Sequence, residues 1–331
     1  MASTLRIALL VACLLGASGC RAGGTTEFGA VTFSPDGKFI VFSYSKDESC
    51  FLYKANLATG KATRLTQTKA GCEGSPAYSS DGKTIAFSYA PKKSAKANIY
   101  LVNSDGTNPR RIIESDADDT YPIFAPNGAK IYFARSLFFG NYDGINPDRK
   151  HDWDLFSADS DGNNLKQITA KKFYMMSAPS ISPDGTKLIF TTFEQTGNEF
   201  DVCPVSGAQP PTILQPHVPG EPKLADKPSP AFGDVWYMPD GKSIVFSGAS
   251  QAPGHNFDYD VFRMNLEKRT PEKLTTANGY ADSVRPAPDG KTFIFAKWKL
   301  DSEGRPGENE LYLLDPQARE LKLLKLTGVQ E

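Results

Sequence analysis

A short polar turn followed by an apolar run recurs six times along the chain. The first copy, "SPDGKFIVFS", spans residues 34–43. The others are "SSDGKTIAFS" at 79–88, "APNGAKIYFA" at 125–134, "SPDGTKLIFT" at 182–191, "MPDGKSIVFS" at 238–247 and "APDGKTFIFA" at 287–296. Proline's fixed φ suits the second position of a tight turn, and glycine tolerates the left-handed backbone that leads into a strand. In the run that follows, β-branched and aromatic residues fall on both faces, the pattern of a strand buried on both sides. One column is Phe in every copy (Phe42, Phe87, Phe133, Phe190, Phe246, Phe295). Burying one such ring contributes about 1.5–3 kcal/mol, so six stacked columns predict a continuous core.

A second strand signature follows each copy: Leu52-Tyr53, Ile99-Tyr100, Leu155-Phe156, Val202-Cys203, Val261-Phe262 and Leu311-Tyr312. Turns such as "LATGK" and "NSDGTN" come next, then short strands such as "ATRLTQ" and "LKQITA". Another strand precedes each turn copy, often opened by proline (Pro76, Pro122, Pro179, Pro286). Each unit is thus four antiparallel strands, and the copies start at 34, 79, 125, 182, 238 and 287. A four-stranded unit at this spacing is a β-propeller blade, which cannot bury both faces alone and must pack in a ring. The expectation is an all-β, six-bladed propeller whose first and last blades meet through side-chain packing, with no exchanged strand.

The "SPDGK-x-I-x-F … [IL]-Y … DG … LT" pattern resembles the TolB-like propeller repeats, related to WD-type repeats, over residues 28–327. The resemblance implies fold strongly and function weakly, because one fold serves many functions. TolB itself carries a further α/β domain before its propeller. Here the first unit starts about eight residues after Cys20, so a role in the Tol–Pal system is not carried over.

In a four-stranded meander the Pro-Asp-Gly and "SDG" turns share one face, and the second-to-third-strand loops and inter-unit links share the other. The long segments 135–152, 215–228, 248–257 and 297–309 all fall on that second face, which marks it as the working face. Its charge is uneven. Lys92, Lys93 and Lys96 stand in the second unit, against Glu194, Glu199 and Asp201 in the fourth and Asp258 and Asp260 in the fifth. Aromatic residues lie among these charges, and binding hot spots favour aromatics. Phe138, Phe139, Tyr142, Trp153, Asp258, Tyr259 and Asp260 are therefore the candidate contacts for a protein or peptide partner.

Motifs for an enzyme (GxSxG, HExxH, CxxC, P-loop, GxGxxG) are absent from the sequence, and no cofactor is expected. His151, His217 and His255 all fall on the working face, beside alternating acids (Asp152/Asp154, Glu199/Asp201, Asp258/Asp260, Glu308/Glu310). Alternation along a strand sets both carboxylates of a pair on one side, about 6.6 Å apart. These residues are weak metal candidates, and oligogalacturonate lyases use a propeller in that way. The first alternative reading is thus a metal-dependent saccharide-active enzyme, and the second a structural envelope lipoprotein.

The N-terminal "MASTLRIALLVACLLGASGC" has one cation, an apolar run too short to span a bilayer, and small residues before Cys20. It resembles a lipoprotein signal. Residues 1–19 are then the signal peptide, Cys20 the lipidated residue and 20–27 a tether, giving membrane attachment through the N-terminal lipid. Arg21 after the cysteine favours the outer over the inner membrane, with the domain facing the periplasm. Cys50 and Cys72 both fall on the working face and are a possible disulfide in that oxidising compartment. Cys203 occupies the aromatic column as buried packing. A formal charge of −1 offers no basic footprint, so no nucleic-acid partner is expected.

Overall fold

The computed structural model describes residues 27–46, 49–91, 96–140, 149–194, 197–214, 216, 232–250, 258–276, 280–300 and 306–329. The signal peptide, Cys20, Tyr142, His217 and His255 lie outside these residues.

Every regular element among the described residues is a strand, and the strands run in six antiparallel sets, one per repeat. The second strands follow the six turns: Phe39–Lys46, Thr84–Ala90, Lys130–Gly140, Lys187–Glu194, Ser243–Ser250 and Phe293–Leu300. Each pairs with a first strand before its turn: Glu27–Phe33, Cys72–Tyr78, Asp118–Phe124, Phe232–Tyr237 or Tyr280–Pro286. In the fourth repeat the first strand is split into Met175–Met176 and Ser180–Ile181. On its other edge each second strand pairs with a third: Ser49–Asn56, Asn98–Asn103, Arg149–Asp159, Gly197–Pro204, Asp258–Asn265 or Pro306–Asp315. The fourth strands are short, from Arg110–Arg111 to Glu320–Leu323.

The turns explain the recurring motif. In the first, Gly37 N donates to Ser34 O at 2.8 Å, while Asp36 Oδ1 accepts from Ser34 Oγ (2.6 Å) and Lys38 N (3.1 Å). Backbone bonds from Leu57 to Lys38 and from Ser104 to Lys83 set the third-to-fourth-strand turns beside the Pro-Asp-Gly turns. Both turn families therefore share one face, and the second-to-third-strand loops leave from the other.

The core lies between repeats. All six column phenylalanines are fully buried. The six larger apolar clusters each join two neighbouring repeats, and one joins Val31, Phe42 and Tyr53 of repeat 1 to Ile294, Ala296 and Leu311 of repeat 6. This junction holds more than the side-chain packing expected. Ala62 N donates to Thr327 O (2.7 Å) and Thr327 N to Gly60 O (3.0 Å), because the chain continues past the last strand and runs along repeat 1. A Cβ on Gly60 would strike Lys325 O, just as one on Gly106 would strike Leu65 O between repeats 1 and 2. The same approach thus recurs at both junctions.

First strands are irregular. Pairing slips between Gly74 and Ala77, between Phe232 and Val235 and between Asp282 and Arg285, and Ser75, Tyr121 and Ser283 take φ of 51°, 57° and 54°. A bulge leaves one residue unpaired and re-aims its side chain.

Candidate functional site

On the loop-rich face, the second and third strands of repeat 3 run 11 residues each, whereas most of their counterparts have 6 to 8. The extension carries Phe138 opposite His151 and Phe139 opposite Lys150. Leu137, Phe138 and Phe139 are 47%, 42% and 47% exposed, three consecutive large apolar side chains in solvent. At the base of the hairpin, His151 is buried, its ring 6.5 Å from that of Phe138 and 4.5 Å from that of Tyr174. Lys150 Nζ reaches Asp118 at 2.8 Å, and Arg135 forms a two-pronged buried pair with Asp119 (2.6 and 2.9 Å). Charge-assisted forked pairing of this kind holds geometry rigidly.

The other expected contacts face inward. Trp153 is buried in the core between repeats 3 and 4, its indole N–H donating to Lys150 O at 3.1 Å. Tyr259 is buried against Tyr280, ring centroids 4.2 Å apart. Asp260 is buried, accepting from Thr275 Oγ1 at 2.7 Å and pairing with Lys273 Nζ at 2.6 Å. Their burial removes these three from the exposed surface. Asp258 begins its strand, and its side chain lies outside the described residues.

The alternating acids have a repeated internal task. Asp154 accepts from Thr169 Oγ1 (2.7 Å) and from the backbone amides of Lys171 and Lys172, and burial pushes its carboxyl upward. Asp260 meets Thr275 in the same way, and Asp201 meets Thr192 at 2.7 Å. Buried carboxylates so satisfied tie third strands to their neighbours. Among the described residues no group of three or more His, Cys, Asp or Glu side chains is placed to hold a metal ion. Cys50 and Cys72 form a disulfide, whereas Cys203 is a buried free thiol pushed up to about 12 by desolvation.

A second cluster, absent from the sequence reading, gathers where first strands of different repeats face one another. Arg285 Nη1 donates to Asp234 Oδ2 at 3.1 Å and to Val284 O at 2.8 Å, and its guanidinium carbon lies 3.8 Å from the Trp236 ring centroid. Asp282, on the same strand as Arg285, accepts from Ser283 N at 2.6 Å. Burial pushes the Asp282 carboxyl up to about 7, the charge of Asp234 adds to the rise, and the Ser283 amide and Arg285 oppose it. Tyr121 of repeat 3 lies within the field of Asp234, Asp282 and Arg285, and burial raises its phenol above the ordinary range. Repeats 3, 5 and 6 thus converge on one place.

A family model described as the TolB beta propeller domain matches residues 32–137. Among solved structures, a TolB candidate from Agrobacterium tumefaciens is 19% identical with a TM-score of 0.62, over 82% of this chain and 86% of that one. TolB from Acinetobacter baumannii is 17% identical with a TM-score of 0.60, over 91% and 63%. Oligogalacturonate lyase from Vibrio parahaemolyticus is 16% identical with a TM-score of 0.57, over 92% and 78%. At these identities the likeness is one of fold. An uncharacterized protein of Agrobacterium fabrum is 29% identical over 169 residues, and the chain spans about half the length of that curated relative.

Proposed function

Because the chain carries TolB-like β-propeller repeats, we propose that it is a six-bladed envelope propeller that holds a protein or peptide partner on its loop-rich face. The supporting observation is the hairpin of repeat 3, which presents Leu137, Phe138 and Phe139 to solvent on strands longer than most of their counterparts. Consecutive exposed aromatics on a paired backbone lose little entropy on contact, the property that makes aromatics binding hot spots. The apolar cluster shared by repeats 1 and 6 supports closure of the six sets as blades of one ring. Attachment to the bacterial envelope through a lipid on Cys20, facing the periplasm, completes the reading.

The saccharide-active reading depends on histidines. His151 is buried, with the rings of Phe138 and Tyr174 6.5 and 4.5 Å from its own, which supports a packing role beneath the partner surface.

A photoreactive residue at position 139 should crosslink to a partner in intact cells. Phe138→Ser with a crosslinker moved to position 137 should lose that product while the purified variant melts as the parent does. An unchanged product in the folded variant would reject this face. Separately, Cys20→Ala should move the protein out of the membrane fraction, since each lost methylene removes about 0.8 kcal/mol of membrane affinity.

A further inference from the structure

The cluster of Asp234, Asp282, Arg285 and Trp236 takes no part in the partner surface above. Its arginine is committed: Arg285 Nη1 donates to Asp234 Oδ2 and to Val284 O, and its guanidinium stacks on Trp236. Asp282 is 7% exposed and accepts one backbone bond, from its neighbour Ser283. A carboxylate in that position adds a second negative charge beside Asp234 where water is scarce, and both the neighbour and the burial oppose ionisation.

We infer that Asp282 is a proton-binding site that sets the charge of the wall between repeats 5 and 6. With the proton bound, Asp234 and Arg285 balance and the wall is neutral. With the proton released to solvent, the same wall carries one net negative charge.

The groups around Asp282 come from several elements. Asp234 lies on the first strand of repeat 5, Tyr259 on its third, and Tyr280 and Arg285 on the strand of Asp282 itself. Tyr121 of repeat 3 lies within its field. Of the charged groups on the other strands packed there, Lys297 lies 5.7 Å from the Tyr312 ring centroid and Lys299 holds Glu310 at 3.0 Å. Glu27 opens the adjacent first strand of repeat 1.

The direction of the pH effect follows from the raised carboxyl. Between its ordinary range and neutrality the native protein holds a proton that the unfolded chain has lost. Stability from this group is therefore highest in acid, declines as pH rises towards neutrality, and is level above that.

The test is a titration of the purified protein from about pH 5 to about pH 9, followed by tryptophan emission and by the infrared carboxyl band, with melting recorded at each pH. Expected is one carboxyl titrating near neutrality together with an emission change that disappears in Trp236→Phe. Asp282→Asn should lose the titration and gain melting temperature relative to the parent as pH rises. Asp234→Asn removes the like charge and frees Arg285 for Asp282, so the midpoint should move acidward by about one pH unit or more. If Asp282→Asn fails to fold, the parent's carboxyl band and the Asp234→Asn shift still decide. No carboxyl titrating near neutrality in the parent, or a midpoint unmoved in Asp234→Asn, overturns the assignment.

Discussion

The third strand of repeat 1 meets the first strand of repeat 2 at Cys50 and Cys72, and the same strands of repeats 5 and 6 meet at Tyr259 and Tyr280. Both contacts are single parallel bridges, and both fuse two four-stranded sets into an eight-stranded sheet. At the first, a disulfide links the two strands across a Cα–Cα distance of 4.2 Å. At the second, two buried rings lie 4.2 Å apart and pack with Trp298. The backbone is alike; the means of holding it differ. A disulfide acts mainly by restricting the unfolded chain, whereas an aromatic pair acts in the native state through buried area and ring geometry. Repeats 4 and 5 use a third device, Asn198 Nδ2 donating to Phe232 O at 2.9 Å.

The difference between the two seams is open to direct attack. Tyr280→Ala removes a buried ring whose loss Tyr259 and Trp298 cannot fill, so denaturant unfolding should report a loss of about 3–5 kcal/mol. A cost near that of a surface substitution would mean that the backbone bridge alone holds repeats 5 and 6 together. At the other seam, Cys50→Ser with Cys72→Ser should cost about 3 kcal/mol, from the loop-closure entropy of a loop of this size. Reduction of the parent should reproduce the double variant's unfolding midpoint. Tyr280→Ala should be as damaging in reduced as in oxidised protein, because the two seams share no side chain.

The four-stranded sets were legible in the sequence because one column of buried phenylalanines keeps register with a turn motif, and burial on both faces admits few alternatives. The disulfide was legible in part: strand direction set both cysteines on one face, though nothing in the spacing gave their separation. Tyr121, Asp234, Asp282 and Arg285 were not legible. They stand on first strands, where a slip in pairing between Asp282 and Arg285 breaks the two-residue alternation on which facing is read. The surroundings of two of the alternating acids, Asp154 and Asp260, were not legible for another reason. Asp154 and Asp260 are buried on their third strands because Thr169 and Thr275 donate to them there. The threonines belong to the recurrent "IT" and "LT" of the fourth-strand region, a signal present in the sequence and not connected to the acids.

The junction of repeats 6 and 1 supplies the finest test, since there one polar side chain and a short backbone contact add to the shared apolar cluster. Asn309 Oδ1 accepts from Phe28 N and its Nδ2 donates to Phe28 O, both at 2.7 Å, and Asn309 is buried. Asn309→Ala leaves a backbone donor and an acceptor without partners, a loss of about 1–3 kcal/mol. Asn309→Asp is more discriminating. Its carboxylate keeps the bond from Phe28 N but sets a negative charge against Phe28 O; its protonated form can donate to that carbonyl as asparagine does. The carboxyl should therefore be raised in the folded protein, and the variant should approach parental stability in acid and fall away as pH rises through that raised value. A pH-independent deficit equal to that of Asn309→Ala would mean that neither form of the carboxyl restores the bonds to Phe28, and no measurable loss in Asn309→Ala would mean that those bonds carry no weight. In the second case the apolar cluster and the contacts of Thr327 with Gly60 and Ala62 would hold the junction.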